Sequence, residues 1–268
     1  MMHPHRIAAI LLRQFYLIRG SPARLLPLFV WAAVDIVLWG FITRYLNTVT
    51  SPELNFVPTL LGAVLFWDFF TRVMYGVTTT FLEDVWSRNF LNLFASPLSI
   101  AEYLAGLVIS SIATSSIGLI VMLILAIAVF GLSFFIYGLA LIPFLLALFL
   151  FGIALGVFAI AIVLRYGPAA EWFVWPIPAV LSPFAAVFYP VATLPPWMQY
   201  VSRLLPPSYV FESMRAILAG GEVHATRLFW GISLAFGYIL LAGWYFTRIH
   251  RHAVRTGLIA RYSAETLS

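Results

Sequence analysis

Long apolar stretches separated by short polar segments make up most of this chain. Six of these stretches are long enough for a helix to cross the hydrocarbon core of a bilayer, which takes about 20 apolar residues. The alternating ten-residue pattern of a membrane β-barrel does not occur, so helix is the expected structure. The predicted spans cover residues 25–46, 56–80, 100–130, 134–164, 170–193 and 226–246.

The composition agrees with a chain embedded in lipid. Of its 268 residues, 63% are hydrophobic and 9% are charged, whereas a soluble domain carries about 25% charged residues. A soluble fold of this size would leave too much of that apolar surface in water. The sequence therefore predicts an all-α polytopic membrane protein.

Arginine placement predicts the orientation of the spans, because loops rich in arginine face the cytoplasm. We expect a multi-pass protein of the bacterial inner (cytoplasmic) membrane with both termini in the cytoplasm. The cytoplasmic side would carry Arg6, Arg13, Arg19, Arg24, Arg88, Arg165, Arg248, Arg251, Arg255 and Arg261, and the opposite side Arg44, Arg203, Arg215 and Arg227.

Residues 5–19 have the pattern of an amphipathic helix that is too polar to cross the membrane. Their arginines flank the apolar face, which favours a helix lying along the inner leaflet. The alternative is a basic topology signal without a fixed helix. The apolar face consists of Ile7, Ile10, Leu11, Phe15 and Ile18.

The loop between the second and third predicted spans resembles a short amphipathic helix in its pattern. It begins with Glu83 and Asp84, which suit the positive end of a helix. Aromatic and aliphatic residues follow at helical spacing until Ser96-Pro97. We predict a helix over 83–96 on the cytoplasmic side. Its apolar face would meet a partner protein, dock on the membrane surface or tuck under the bundle.

Two proline pairs punctuate the connection between the fifth and sixth predicted spans. Pro195-Pro196 and Pro206-Pro207 each stand where a short helix could begin, because proline is tolerated in the first helical turn. The stretches that follow are amphipathic and too short to span a bilayer. We predict two re-entrant half-helices over 195–219 that dip into the outer leaflet. The alternative is an ordinary periplasmic loop.

Three charged residues fall inside predicted spans. Asp35 lies near the middle of the first, and Asp68 lies near the middle of the second, one turn from Arg72 at a spacing that allows an ion pair. Buried charges in lipid face a partner or a water-filled path. The three residues are therefore either a polar lining of a substrate route or a structural network that joins the two helices.

The chain contains no cysteine and no lysine, and these absences exclude particular chemistry. Thiolate metal sites and disulfides are excluded. A P-loop is also excluded, because its lysine contacts the terminal phosphates of ATP. The histidines do not cluster with carboxylates at metal-ligand spacing, and the net charge of +5 suits anionic lipid better than nucleic acid. We expect neither a catalytic site nor a metal site.

In this order, the features resemble the membrane (permease) subunit of a type-2 ABC exporter over nearly the whole chain. Leu205 is the one departure, because an asparagine is common in the family before this proline pair. The resemblance implies one domain over 1–268 with six transmembrane helices, an N-terminal interfacial amphipathic helix, a cytoplasmic coupling helix, a re-entrant helical hairpin before the last span, and a cytoplasmic tail over 247–268. It is most specific in Glu83…Ser96-Pro97-Leu98-Ser99 and in Tyr189-Pro190…Leu194-Pro195…Pro206…Tyr209…Glu212…Arg215.

The resemblance also implies the partners of the chain. Two permease copies, most simply a homodimer, would pair with two copies of a cytoplasmic ATPase subunit. ATP and Mg would be bound by that ATPase, and this chain would bind no cofactor. The ATPase-coupling residues would be Glu83, Asp84 and Arg88 as polar contacts, Trp86 and Phe90 as apolar anchors, and Arg13 and Arg19 as additional contacts.

A translocation path lined by polar and aromatic side chains is a further implication of the resemblance. Aromatic faces stack on sugar rings and also fit flat drugs or acyl chains, so the expected substrate is a glycan, a lipid-linked molecule or another amphipathic molecule. For each aromatic residue, packing or a place in the interfacial belt is the alternative role. The candidates are Asp35, Trp39, Phe66, Trp67, Asp68, Arg72, Trp172, Trp175 and Phe188, with Trp31, Phe69 and Phe184 as further aromatic residues.

Two other functions remain as alternatives at this point. An ATP-independent secondary transporter would need no ATPase partner, and such proteins show internal repeats. No clear repeat relates the two halves of this chain. An integral-membrane enzyme acting on lipids would need a convergent cluster of histidine or acidic residues at one leaflet, whereas the acids here are dispersed.

Overall fold

The computed structural model describes residues 2–49, 57–87, 89–132, 134–222 and 224–258, which are almost entirely helical. The α-helices, in chain order, are α1 Pro4–Arg19, α2 Pro22–Val49, α3 Gly62–Trp86, α4 Phe90–Ala95, α5 Ile100–Phe130, α6 Leu141–Tyr166, α7 Ile177–Leu181, α8 Pro196–Arg203, α9 Pro206–Leu218 and α10 Ala225–Arg255.

Five helical segments of the described residues are long and apolar enough to cross a membrane, and they confirm a multi-pass protein. The first, second, third, fourth and sixth predicted spans each correspond to one of them. They are Phe29–Val49, Val57–Trp86, Ile100–Phe130, Phe134–Tyr166 and Ala225–Arg255.

The prediction of a single continuous helix over 170–193 is wrong, and the six-span count is not confirmed. This segment consists of a 3₁₀ helix over Pro168–Phe173, the short α7, a series of turns and a 3₁₀ turn over Val191–Thr193. Prolines cause the breaks, because each removes a backbone donor and clashes with the preceding turn. They stand at Pro168, Pro176, Pro178, Pro183 and Pro190.

Other helix bounds also differ from those predicted. α3 continues to Trp86, because the last turn that contains Glu83 and Asp84 is held by internal ion pairs. α10 extends to Arg255, well into the predicted tail; residues 259–268 lie outside the described residues. α2 begins at Pro22, before the predicted start of the first span at residue 25, and runs without a break through residue 27.

α3 is one of the two mostly buried helices of the bundle, and it packs against α5 on one side and α6 on the other. Gly152 and Gly156 of α6 form a small-xxx-small pattern that allows this close approach. A Cβ atom on Gly152 would lie 3.1 Å from the carbonyl oxygen of Phe70, and one on Gly156 would lie 2.9 Å from that of Met74. α10 packs on the outer side of α6, so it lies at the periphery of the bundle.

We expect Gly156→Leu to prevent correct assembly of the bundle. Its side chain would meet backbone of α3, which cannot give way as a flexible side chain can, and overpacking of this kind costs about 1–3 kcal/mol or more. The melting temperature of the purified protein measures the effect. Gly237→Leu is the matched control, because nothing lies within 4 Å of a Cβ atom at that position of α10. Equal loss of stability in both variants would contradict the role assigned to Gly156.

Candidate functional site

A buried ion pair joins the N-terminal helix to the end of α3. Arg13 of α1 donates hydrogen bonds to both carboxylate oxygens of Asp84, one of them at 3.1 Å. The hydroxyl of Tyr103 in α5 donates to Asp84 Oδ2 at 2.7 Å. Asp84 and Tyr103 are fully buried. The hydrogen bonds to Asp84 raise the pKa of Arg13, against the opposing effect of partial burial, so its guanidinium stays charged.

Two further polar contacts tie the same end of the bundle together. Glu102, in the first turn of α5, accepts a hydrogen bond from the backbone N–H of His3 at 2.7 Å. It also forms an ion pair with Arg6 at 3.4 Å. Arg24 of α2 lies 3.5 Å from Glu83. We use the name basal clasp for the three ion pairs Arg6–Glu102, Arg13–Asp84 and Arg24–Glu83.

The ion pairs of the basal clasp lie at the two ends of the segment that connects α3 to α5. Within that segment, α4 covers only Phe90–Ala95, so the predicted helix over 83–96 is shorter than expected. Several residues after Trp86, including Asn92 and Ala95, are exposed. The segment begins where Asp84 is held and ends where Glu102 is held. It is therefore an exposed element fixed at both ends by buried polar contacts.

The predicted coupling residues fall into three groups. Asp84 and Arg13 are bound to each other inside the fold, and the Asp84 carboxylate has no exposed surface to offer a partner. Trp86 and Arg19 are exposed, although the indole N–H of Trp86 also donates to Glu171 at 2.8 Å. The remaining residues are Glu83, which is half-buried against Arg24, and Arg88 and the side chain of Phe90, which lie outside the described residues.

The charged residues inside the predicted spans come together between α2, α3 and α5. Arg72 pairs with Asp68 on α3, and both interact with Asp35 of α2. Gly118 of α5 makes room for the arginine, since a Cβ atom there would lie 3.1 Å from Arg72 Cδ. We call these three charged residues the polar triad. Two acids share one arginine in it.

Aromatic residues near the polar triad come from different parts of the chain. Trp39 of α2 stacks on Phe188 with ring centroids 5.0 Å apart. The ring centroid of Trp67 in α3 lies 6.1 Å from that of Phe211 in α9. These side chains are half-buried except for Phe211, which is fully buried, so all but one retain surface at which a substrate could bind.

The other predicted aromatic lining residues lie elsewhere. The carbonyl of Trp175 accepts a 2.5 Å hydrogen bond from the Tyr75 hydroxyl, and Trp172 is largely exposed. Phe66 has no exposed surface and packs edge-on against Phe134 and other rings. Phe66 therefore faces the packed core between α3 and α6, and its assignment to a path stays a prediction.

We use the name broken segment for residues 168–193, which lie between α6 and α8. At the opposite end of the bundle from the basal clasp, α9 contacts the end of this segment. Arg215 donates to the carbonyl oxygens of Ala186 at 2.9 Å and Val187 at 3.2 Å, and it pairs with Glu212 at 2.8 Å. Glu212 also accepts the backbone N–H of Val191 at 3.0 Å. Ala186 has φ +51°, a backbone conformation that costs free energy in a residue with a Cβ atom.

We expect Arg215→Gln to loosen this end of the fold. The variant would lose the contacts to two backbone carbonyls and leave Glu212 without its cation, at a cost of about 1–3 kcal/mol. Limited proteolysis at residues 186–191 and the melting temperature measure the effect. Arg203→Gln is the matched control, because Arg203 is exposed and only lies over the ring of Tyr200. An unchanged proteolysis pattern in Arg215→Gln would contradict this role.

Several of these residues were not identified from the sequence. One readable signal is the capping box formed by Ser99 and Glu102, which is typical of a helix start and predicts the first turn of α5. The contacts made by Arg6, Arg24 and Tyr103 join residues far apart in the chain, so no local pattern indicates them. Among the described residues, no group of three or more histidine or acidic side chains could hold a metal ion.

Comparison with known proteins gives a result that agrees with this architecture. A family model described as ABC-2 type transporter matches residues 5–219, from the basal clasp through α9. None of the curated proteins matches the chain. The matched region covers most of the chain and carries no ATPase domain. The chain therefore belongs to the ABC-2 type transporter family, as the membrane-spanning permease subunit of a type-2 ABC transporter.

Proposed function

We propose that this chain forms half of the translocation pathway of an ATP-driven exporter and is driven by a separate ATPase subunit. Family membership supports transport and the kind of partner. The observation that carries the proposal is the exposed segment around α4, which is anchored at both ends by the basal clasp. A partner that pushes on this segment would move α3 and α5 directly, since both ends of it are fixed to them.

Both termini face the cytoplasm in this proposal, and the membrane is the inner membrane of a bacterium. Arginine supports this orientation, because three arginines lie in α1, three in the last turns of α10 and one at the end of α6. The same orientation places α4 on the cytoplasmic side, where ATP is available. α1 lies along the inner leaflet, and α8 and α9 form the re-entrant pair in the outer leaflet.

The broken segment between α6 and α8 makes a sixth crossing in this proposal. Glu171 of this segment contacts Trp86 of α3, and Trp175 contacts Tyr75 of α3. The segment therefore runs along α3, away from its cytoplasmic end. Its far end is held by α9, which reaches Trp67 of α3. Trp67 and Trp86 are about 29 Å apart along the helix axis, which equals the thickness of the hydrocarbon core. Irregular backbone is tolerated at this depth where protein covers it.

The basal clasp transmits force in this mechanism. Two ATPase subunits dock against α4 of two permease copies, bind ATP and Mg, and close. The Arg13–Asp84 pair ties α1 to the same end of α3, so α1, α3 and the start of α5 move together. Trp86 and Arg19, whose side chains are exposed, remain as contacts for the ATPase, and Arg88 and Phe90 stay predictions.

The polar triad and the half-buried aromatic residues line the path in this proposal. A second copy of the chain, most simply as a homodimer, supplies the other wall. Trp39, Trp67 and Phe188 present aromatic surface, and Asp35 contributes a polar carboxyl group. This lining suits a glycan, a lipid-linked molecule or another amphipathic substrate, because aromatic faces bind sugar rings and apolar groups alike.

Co-purification and stimulated ATP hydrolysis test the proposal together. We expect the chain to form a stable complex with an ATPase that carries Walker motifs. Glycolipids, phospholipids and amphipathic drugs, added to the complex in vesicles, should differ in how strongly they stimulate hydrolysis. Failure to form such a complex would overturn the proposal and favour an ATP-independent transporter.

A further inference from the structure

The outward face of α10 carries one continuous stripe of apolar, aromatic and basic side chains. Trp230, Leu240 and Trp244 lie on it at helical spacing, and all three are exposed. The two tryptophans are separated by about 21 Å along the helix axis. This face points away from α6, against which the buried residues of α10 pack.

Basic residues continue the stripe for about three turns beyond Trp244. Arg248, Arg251 and Arg255 follow at intervals of three and four residues, so they share the face of Trp244. The guanidinium of Arg248 lies 5.7 Å from the centre of the Trp244 ring. With Gly243, Thr247 and His252, these residues line a shallow groove at the end of the helix.

No acidic side chain of the described residues neutralises these arginines. Glu222, the one acid without an assigned contact, precedes the opposite end of α10. The others contact partners elsewhere in the fold: Asp35, Asp68, Glu83, Asp84, Glu102, Glu171 and Glu212. The groove therefore combines three exposed guanidinium groups with the edge of a lipid-facing surface.

We propose that this groove binds one anionic phospholipid, with its phosphate among Arg248, Arg251 and Arg255 and its acyl chains along the stripe above Trp244. One guanidinium group can donate two parallel hydrogen bonds to two oxygens of a phosphate, which favours arginine for this ligand. Tryptophan suits the boundary between headgroups and acyl chains. Gly237 and Gly243 leave open space beside the helix for a chain. The inference rests on the proposed orientation, which puts this end of α10 at the inner leaflet.

Native mass spectrometry of the full chain, purified together with the ATPase partner, tests the site. Phosphatidylglycerol and phosphatidylcholine are titrated separately, and the retained lipids are counted. We expect wild type to retain one phosphatidylglycerol in clear preference to phosphatidylcholine. The triple change R248Q, R251Q and R255Q should weaken that binding about five-fold per arginine, or on the order of a hundred-fold in all.

A matched triple variant, R44Q, R203Q and R227Q, removes the same charge from exposed positions distant from the groove. We expect it to bind phosphatidylglycerol within about two-fold of wild type. Equal weakening in both triples, or no preference in wild type, would overturn the site. If the first triple loses the ATPase but keeps phosphatidylglycerol, the groove is a protein-docking surface and the proposal fails.

Single substitutions keep the test decisive if the triple variant does not fold. Arg251→Gln should weaken binding about five-fold, whereas Arg251→Lys, which keeps the charge, should weaken it less. Identical binding by wild type and Arg251→Gln would overturn the proposal. Failure of wild type to hold the ATPase would count against the proposed function alone, because lipid retention is measured on the permease peak.

Discussion

Asp84→Ala is expected to abolish coupled transport and to destabilise the protein strongly. The change leaves Arg13 without its anion and the buried Tyr103 hydroxyl without its acceptor. Removing one partner of a buried ion pair costs about 3–5 kcal/mol, and the lower end applies because Arg13 is partly exposed. α1 would then separate from the end of α3. Melting temperature and ATP-driven uptake into inverted vesicles measure the two effects.

Glu83→Gln is the matched control for Asp84→Ala. The neighbouring acid carries the same charge, but its pair with Arg24 is partly exposed on both sides, so its loss should cost at most about 1 kcal/mol. A double-mutant cycle with Arg13→Ala isolates the Arg13–Asp84 pair. We expect the two single changes to be strongly non-additive. Additive effects, or Glu83→Gln as destabilising as Asp84→Ala, would contradict the role assigned to the Arg13–Asp84 pair.

Arg72→Leu is expected to have the second large effect, because it leaves Asp35 and Asp68 facing each other without a cation. Uncompensated carboxylates within the membrane are costly. The variant should give little folded protein, as measured by size-exclusion chromatography in detergent. Arg44→Leu, at an exposed position beyond the polar triad, should leave the folded yield close to that of wild type.

A neutral version of the polar triad then separates its two possible roles. The combination of Asp35→Asn, Asp68→Asn and Arg72→Gln removes every charge while keeping polar side chains of similar size. It should recover folded protein, since replacing a whole buried ion network is often neutral. Retained transport would mean that the polar triad is structural. Normal stability with lost transport would mean that it contacts the substrate.

The long helices were predictable from the sequence because lipid imposes a simple rule. A span needs about 20 apolar residues whatever its neighbours are, and five of six predictions correspond to such helices. The segment 170–193 obeys the same apolar rule but contains closely spaced prolines. Hydropathy carries no information on whether backbone is helical, so the breaks around α7 were missed.

Some residues of the candidate site were identified from the sequence, but the contacts that these residues make were not. Glu83 and Asp84 were predicted to begin a helix, whereas they lie in the last turn of α3. Side by side in sequence, they gave no sign that one is buried and the other half-exposed. That difference depends on Arg13 and Tyr103, which reach Asp84 from two other helices. The burial of Phe66 was missed for the same reason, since an aromatic residue in a core and one in a lining look alike in sequence.

The central claim is that energy enters through the exposed segment around α4, and site-specific crosslinking tests it most directly. The chain contains no native cysteine, so a single introduced cysteine reports one position. Asn92→Cys and Ala95→Cys place a thiol on the exposed segment, and Phe135→Cys places one on a largely exposed residue between α5 and α6.

We expect a short thiol-to-amine crosslinker to join positions 92 and 95 to the ATPase subunit and to leave position 135 unjoined. Addition of ATP should change the yield at positions 92 and 95. Crosslinks to the ATPase from position 135 alone, or none from either position on α4 in a complex that co-purifies, would contradict the account.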